Sequence, residues 1–205
     1  MSTLPDTYTP MRYAAEKVAE KRRQILDKAS GLFRQHGFNR VSVSDVMKAS
    51  GLTHGAFYSH FKSKDELIDR SLEHASARNR EGFSTEEVSA QPLLECVQRY
   101  LSQAHRDDLA AGCLMAALGS ELGRQQAGKA AFTSHVKAVL YSMEGAFAAC
   151  SQLDARRTSI KTLATMIGAL TLARAVSDRD LSDEILDEMR AAMAASETGS
   201  EDPRS

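Results

Sequence analysis

Between Thr53 and Lys64 the chain sets a hydroxyl, two imidazoles, a phenol and an ammonium around two residues of almost no bulk, Gly55 and Ala56. These are the contact types needed to read a double-stranded nucleic acid. Tyr58 offers a hydroxyl to a phosphate, Ala56 a methyl to a thymine, and His54 a ring nitrogen to a base edge or a phosphate. Gly55 and Ala56 let a backbone approach a surface closely. Thr53 adds a hydroxyl beside a helix start, itself suited to anions. The plainer reading is that His54 and His60 are surface histidines and the aromatics are core.

That chemistry needs elements to hold it. A helix over Thr53 to His60 places Phe57 and Phe61 on one face, where Leu52 can join them against Leu32 and Phe33. Burying the two rings contributes about 1.5–3 kcal/mol each, which anchors a helix too short to stand alone. Gly55, Ala56, Tyr58 and Ser59 then face largely outward. Ser42 and Ser44 open the preceding helix and Lys64 the following one, so each can meet a backbone phosphate. Lys17, Lys21, Arg22 and Arg23 can flank the same surface from the first helix. Ser42 is a helix cap first and a contact second; Lys64 alone would be an ordinary solvated charge.

Periodicity predicts helices throughout and no clear strand. Ile25, Ala29, Leu32 and Phe33 give a helix from about Ala14 to His36, after a loose arm holding Pro5 and Pro10. Gly37 caps its end, with Phe38 placed for the accompanying hydrophobic contact. Ser42 caps a short helix carrying Val43, Val46 and Met47, which Gly51 stops. Ser63 and Glu66 form a capping box opening a longer helix with Leu67, Ile68 and Leu72. Helix, helix, tight turn, helix within about fifty residues is the layout of a helix-turn-helix unit. "EGFSTEEVSAQP" reads as a connector. Helical patterns then run from Pro92 to Gln103, Leu114 to Arg124, Lys129 to Ser151, Asp154 to Val176 and Ser182 to Ala195, with Ser182 as cap of the last. The expected organisation is all-α: a DNA-binding domain over 14–62, a helical body over 63–196, and a disordered tail over 197–205.

Charge divides the chain the same way. From Met11 to Lys64 eleven Lys or Arg stand against four acids, +7, and with Asp6 the remainder must carry −7 to reach the net −1. A basic head on an acidic body suits a polyanionic partner, although two differently solvated faces would give the same sum. "MSTLPDTYTP" lacks the features of a secretory signal, the longest apolar stretch falls short of a membrane span, and three distant cysteines, Cys96, Cys113 and Cys150, suggest no disulfide framework. The expectation is a cytoplasmic protein without cofactor or metal. An enzyme is disfavoured: there is no H-E-x-x-H, P-loop or dinucleotide-binding glycine pattern, and "GSELG" misplaces its serine for a nucleophile elbow. An architectural protein binding DNA without sequence preference is a second rival.

"ILDKASGLFRQHGF" followed in order by "VSVSDVMKASGLTHGAFYSHFKSKDEL" resembles the N-terminal DNA-binding domain of the TetR family of transcriptional regulators, over roughly a quarter of the chain. The resemblance implies an all-helical homodimer, a recognition helix at Thr53 to His60, a palindromic operator, and a divergent C-terminal domain for a small-molecule effector and dimer contacts. By motif position Tyr58, His60 and Lys64 match family DNA contacts, as do residues around Ser42 to Ser44 and Thr53 to Ala56. His54-Gly55 departs from the Lys-Gly or other polar-small pair of many members, which leaves the sequence read by the helix open. For the dimer, Ala164, Gly168, Ala169 and Ala173 would permit close approach of "IKTLATMIGALTLARAV" and the Ser182–Ala195 helix across a two-fold axis. For the implied effector, Cys113, Met115, Leu118, Phe132, Val136, Met143 and Phe147 can line an apolar cavity, although such a stripe is more often core. The function expected is a sequence-specific, homodimeric repressor released from DNA by a ligand. The alternative is a regulator sensing oxidants or electrophiles through Cys113, a thiol near a helix N-terminus, set against the more common inert buried cysteine.

Overall fold

The computed structural model describes residues 9–82, 90–147 and 152–198, and among them every regular element is a helix. In chain order these are α1 (Thr9–His36), α2 (Val43–Ala49), a 3-10 helix (His54–Ser59), α3 (Lys64–Gly82), α4 (Ala90–Tyr100), α5 (Gln103–Asp107), α6 (Leu114–Leu122), α7 (Lys129–Ala146), α8 (Gln152–Ala175) and α9 (Arg179–Thr198). The head packs α1 against α3 with α2 and the 3-10 helix across them. In the body α7 lies on α8, and α8 on α9; α3 reaches from the head to α7.

Two apolar cores fill the molecule. The head core joins Ile25, Ala29 and Phe33 of α1 with Val46 and Met47 of α2, Phe57, Phe61, and Leu67 and Leu72 of α3. It also takes Leu114, Leu118 and Leu122 of α6, so it is completed by the body. The second core gathers Leu93, Val97, Leu101, Met115, Met143, Leu163, Met166, Leu170 and Leu186. α6 therefore buries one side in each, as suits a helix apolar nearly all round. Phe132 of α7 touches both.

Several helix ends differ from the sequence-based expectation. α1 begins at Thr9 rather than Ala14, so Pro10 falls in a first turn, where its missing N–H is not needed. The segment from Pro92 to Gln103 is not one helix: α4 stops at Tyr100 and α5 restarts under a Ser102 cap. α6 ends at Leu122. α9 starts at Arg179, and its first amides donate to Asp178, which does the capping. Ser182 is instead 3% exposed and gives its hydroxyl hydrogen to the Ala173 carbonyl, 2.7 Å away. At α3, Ser63 accepts the Glu66 amide as expected, but the Glu66 carboxylate takes the amide of Lys62 rather than that of Ser63. Most of the connector "EGFSTEEVSAQP", the end of the Lys129–Ser151 segment, Cys150, the first eight residues and 199–205 lie outside the described residues.

A buried arginine is the main polar feature of the body. Arg106, 4% exposed, donates to Ser182 Oγ at 2.8 Å, Asp107 Oδ1 at 2.8 Å and the Asp183 carboxylate. Arg179 closes on Asp107 from α9 at 2.8 Å. A charge this deep is tolerable only when paired and hydrogen-bonded, and here it staples α5 to the start of α9.

Candidate nucleic-acid interface

The turn from α2 fixes where the next helix begins. Gly51, at φ +69°, adopts a left-handed conformation open to glycine, and the Leu52 amide returns to the Met47 carbonyl at 2.9 Å. Thr53 follows in extended geometry, but its side chain makes no capping bond. The helix itself is 3-10, with the Ala56 amide on the Thr53 carbonyl at 3.1 Å; the amides of His60 and Phe61 share the Phe57 carbonyl at 2.9 and 3.0 Å. A helix of six residues is marginal on its own, so tertiary contacts must hold it in place.

Those contacts come from the expected pair. Phe57 and Phe61 are 1% and 2% exposed, with ring centroids stacked 5.7 Å apart. Tyr58, between them in sequence, is 69% exposed and meets Phe57 edge-on at 5.3 Å. The body of its ring is braced and its hydroxyl faces out. Thr53, His54, Gly55 and Ser59 are exposed with it; Ala56 is half-buried against the core. Gly55 has neither a left-handed φ nor any atom within 4 Å of where a Cβ would stand. Nothing in the chain's own packing calls for glycine there.

Arg22 of α1 steadies the other end of this helix. It donates to the His60 carbonyl at 2.8 Å, lies 4.6 Å from the centre of the Phe61 ring and sits 3.6 Å from Glu66. Of the cations expected to flank the surface, Arg22 is thus engaged in holding it. Arg23 pairs with Glu20, and Lys21 donates to Gln24. Arg40, Lys48 and Lys62 stand exposed on the same head.

The flanking hydroxyls and Lys64 are differently placed. Ser42 caps α2 in a reciprocal box with Asp45: its Oγ accepts the Asp45 amide at 3.1 Å and donates to the carboxylate at 2.6 Å, which also takes the Ser42 amide. The Ser42 hydroxyl and amide hold the Asp45 carboxyl below the usual carboxylate range, so this helix start already carries its anion. Ser44 is exposed. Lys64 is half-buried and donates to the Phe38 carbonyl at 2.6 Å, tying α3 to the turn after α1. His60 is half-buried, its ring 6.3 Å from that of Phe61. The sequence named Ser42 as a cap but missed its partner three residues on, although Ser-x-x-Asp is a readable signal.

Of the seven residues expected to line an effector cavity, six gather in or against the second core and one lies in the head core. Cys113, Met115 and Met143 belong to the second core, with Phe132, Val136 and Phe147 against it; Leu118 is sealed in the head core. A cavity of about 180 Å³ opens elsewhere, between α3 and α7, lined by Glu73, Ser76, Ala130, Ala131, Ser134, His135 and Ala138. Periodicity could not single it out, because small and polar residues make it. Among the described residues no His, Cys, Asp or Glu cluster suits a metal ion, and no helix is long and apolar enough to cross a membrane.

A family model described as "Bacterial regulatory proteins, tetR family" matches residues 25–70, the span from mid-α1 into α3. The HTH-type transcriptional regulator AcrR of Shigella flexneri is 42% identical over 57 residues, 28% of this chain and 26% of that protein. The HTH-type transcriptional regulator TtgR of Pseudomonas putida is 30% identical over 99 residues, 47% of each. The match therefore spans about half or less of these relatives' length. The reduced form of Escherichia coli NemR superposes with a TM-score of 0.72 over 86% of this chain and 96% of that one, at 20% identity, which shows a shared fold.

Proposed function

We propose that this chain, whose head matches the model of the TetR family of bacterial regulatory proteins, is a homodimeric, sequence-specific DNA-binding repressor released from its operator by a small molecule. In this reading 14–62 is the DNA-binding domain and 63–196 the effector and dimerisation domain of a cytoplasmic regulator. The observation that carries it is the division within one short helix: Phe57 and Phe61 are sealed inside while Tyr58 is 69% exposed, beside a Gly55 that the fold does not require. Thr53, His54, Gly55 and Ala56 would meet base edges. Tyr58, His60, Ser44 and Lys64 would meet phosphates, Lys64 with ammonium hydrogens left after its bond to Phe38, and Ser42 would do so by turning its hydroxyl from Asp45.

One such helix reads only a few base pairs, so two are needed about 34–36 Å apart. The outward face of α8 supplies a means of pairing: Ile160 and Leu172 are 47% and 58% exposed, with exposed Ala164 and Gly168 between them at steps of four. Ala169 and Ala173, expected in the same contact, are 5% and 3% exposed within one protomer and serve its own core. An effector that favours a wrongly spaced pair of heads would lower operator affinity by its differential binding free energy. Sequencing the DNA fragments retained by the purified protein tests the reading. A recurring palindrome is the expected result; no enrichment over input would refute it.

A second reading, thiol-based sensing through Cys113, is favoured by the groups around that residue. Cys113 stands at the N-cap of α6, and its amide donates to His105 Nε2 at 3.1 Å. The Tyr100 and His105 rings meet at 4.7 Å, burial together with the neighbouring Cys113 thiol pushes the Tyr100 phenol up, and the Arg174 guanidinium lies close enough to act on both. Mild alkylation of the native protein decides: modification at Cys113 supports sensing, and an unmodified thiol eliminates it.

A further inference from the structure

We propose that Glu121 is the positioning residue through which the body sets the attitude of the DNA-binding head, an inference that rests on the DNA-binding reading above. Glu121 occupies the last turn of α6, where the helix dipole disfavours an anion. Its carboxylate nevertheless turns toward the head and accepts the Phe38 amide at 2.8 Å. The Phe38 carbonyl is held at the same time by Lys64 Nζ at 2.6 Å. One residue, its side chain 1% exposed, is thus gripped through its amide by the body and through its carbonyl by a residue expected to meet a phosphate.

The neighbouring glycine fits this grip. Gly37, at φ +78°, ends α1, and a Cβ there would overlap the Glu121 carboxylate. The turn it begins delivers the chain into α2 and so fixes where the 3-10 helix points. With α3 counted in the head, Arg34 to the Ala110 carbonyl at 2.6 Å and the Gly128 amide to Asp69 also join head and body. These tie α1 and α3 at points farther along the chain from the turn into α2. α6 buries Leu118 in the head core and Met115 in the second. A shift of α6 prompted from the second core therefore moves Glu121, and with it the Phe38 peptide.

Amide hydrogen exchange and DNA binding of the full-length protein test this together. Glu121→Ala should speed exchange over 38–61 about tenfold, the loss of one hydrogen bond to a charged group, while α8 and α9 stay within about twofold, the limit for independent sites. Its affinity for the duplex most strongly retained from a random pool should fall about tenfold at unchanged salt slope. Glu121→Gln, whose amide oxygen still accepts, should restore most of both. Gly37→Ala displaces the carboxylate by itself, so adding it to Glu121→Ala should cost less than adding it to the parent. Unchanged exchange over 38–61 in Glu121→Ala, a Glu121→Gln no better than Glu121→Ala, or full additivity with Gly37→Ala would each overturn the proposal. A parent protein with no sequence preference would instead remove the DNA reading, while the exchange series would still judge Glu121.

Discussion

At Gly55 the missing side chain carries an entropic cost and fills no need within the fold, since no atom lies within 4 Å of the position of a Cβ. Gly55→Ala should therefore raise stability by about 0.4–1 kcal/mol in urea denaturation while weakening DNA binding. A substitution that left binding unchanged would remove Gly55 from the interface. Its neighbours separate holding from touching. Phe57→Ala should cost about 3–5 kcal/mol of stability, whereas Tyr58→Phe should leave the denaturation midpoint in place and lower DNA affinity by about five- to tenfold, one hydrogen bond to a phosphate. Equal effects of the two on stability would contradict that division. Phe57 and Phe61 were legible because their spacing of four is local information. Lys64's bond to Phe38, 26 residues away, was not, because nothing in a local pattern says which carbonyl a lysine will find.

Among the elements, helices with an apolar stripe were legible and several of their ends were not. Ser182 and Asp178 both suit a cap; the choice falls to Asp178 because Ser182 is drawn into the network around Arg106, a tertiary event. The step from α4 to α5 had a local signal that the apolar stripe overrode: Ser102 accepts the His105 amide three residues on and caps α5. Removing the charge from this network by Arg106→Ala should cost about 3–5 kcal/mol, because it leaves buried partners unpaired. Asp107 gives the network a pH signature. Hydrogen bonds from Arg106, then Arg179, pull its pKa from 3.8 down to about 2. A carboxylate with a depressed folded-state pKa stabilises above its unfolded value and loses that contribution as pH falls through the folded one. The melting temperature of the parent should therefore exceed that of Asp107→Asn above pH 4, and the gap should close between about pH 4 and pH 2. A gap independent of pH over that range would mean that Asp107 is not held as described.

For the whole molecule, the basic head and acidic body read from charge alone correspond to two apolar cores that share α6, while the cavity between α3 and α7 escaped the apolar stripe because small and polar residues line it. Two heads act as one reader only if the bodies pair. Leu172→Glu, at a position 58% exposed on α8, should leave helix content intact, give a monomer in sedimentation equilibrium, and weaken operator binding by about a hundredfold or more through lost bivalency. A dimer that survives this change would place the interface elsewhere. The most direct trial of the DNA-reading face is a titration of the full-length protein with its selected duplex and a scrambled one across a range of salt concentrations. With about four phosphates met by each subunit, log K should fall with log salt at a slope of about −7, and the selected duplex should bind about a thousandfold tighter or more. Equal affinity for the two duplexes, or a slope near zero, would show that the outward face of the Tyr58 helix does not read DNA.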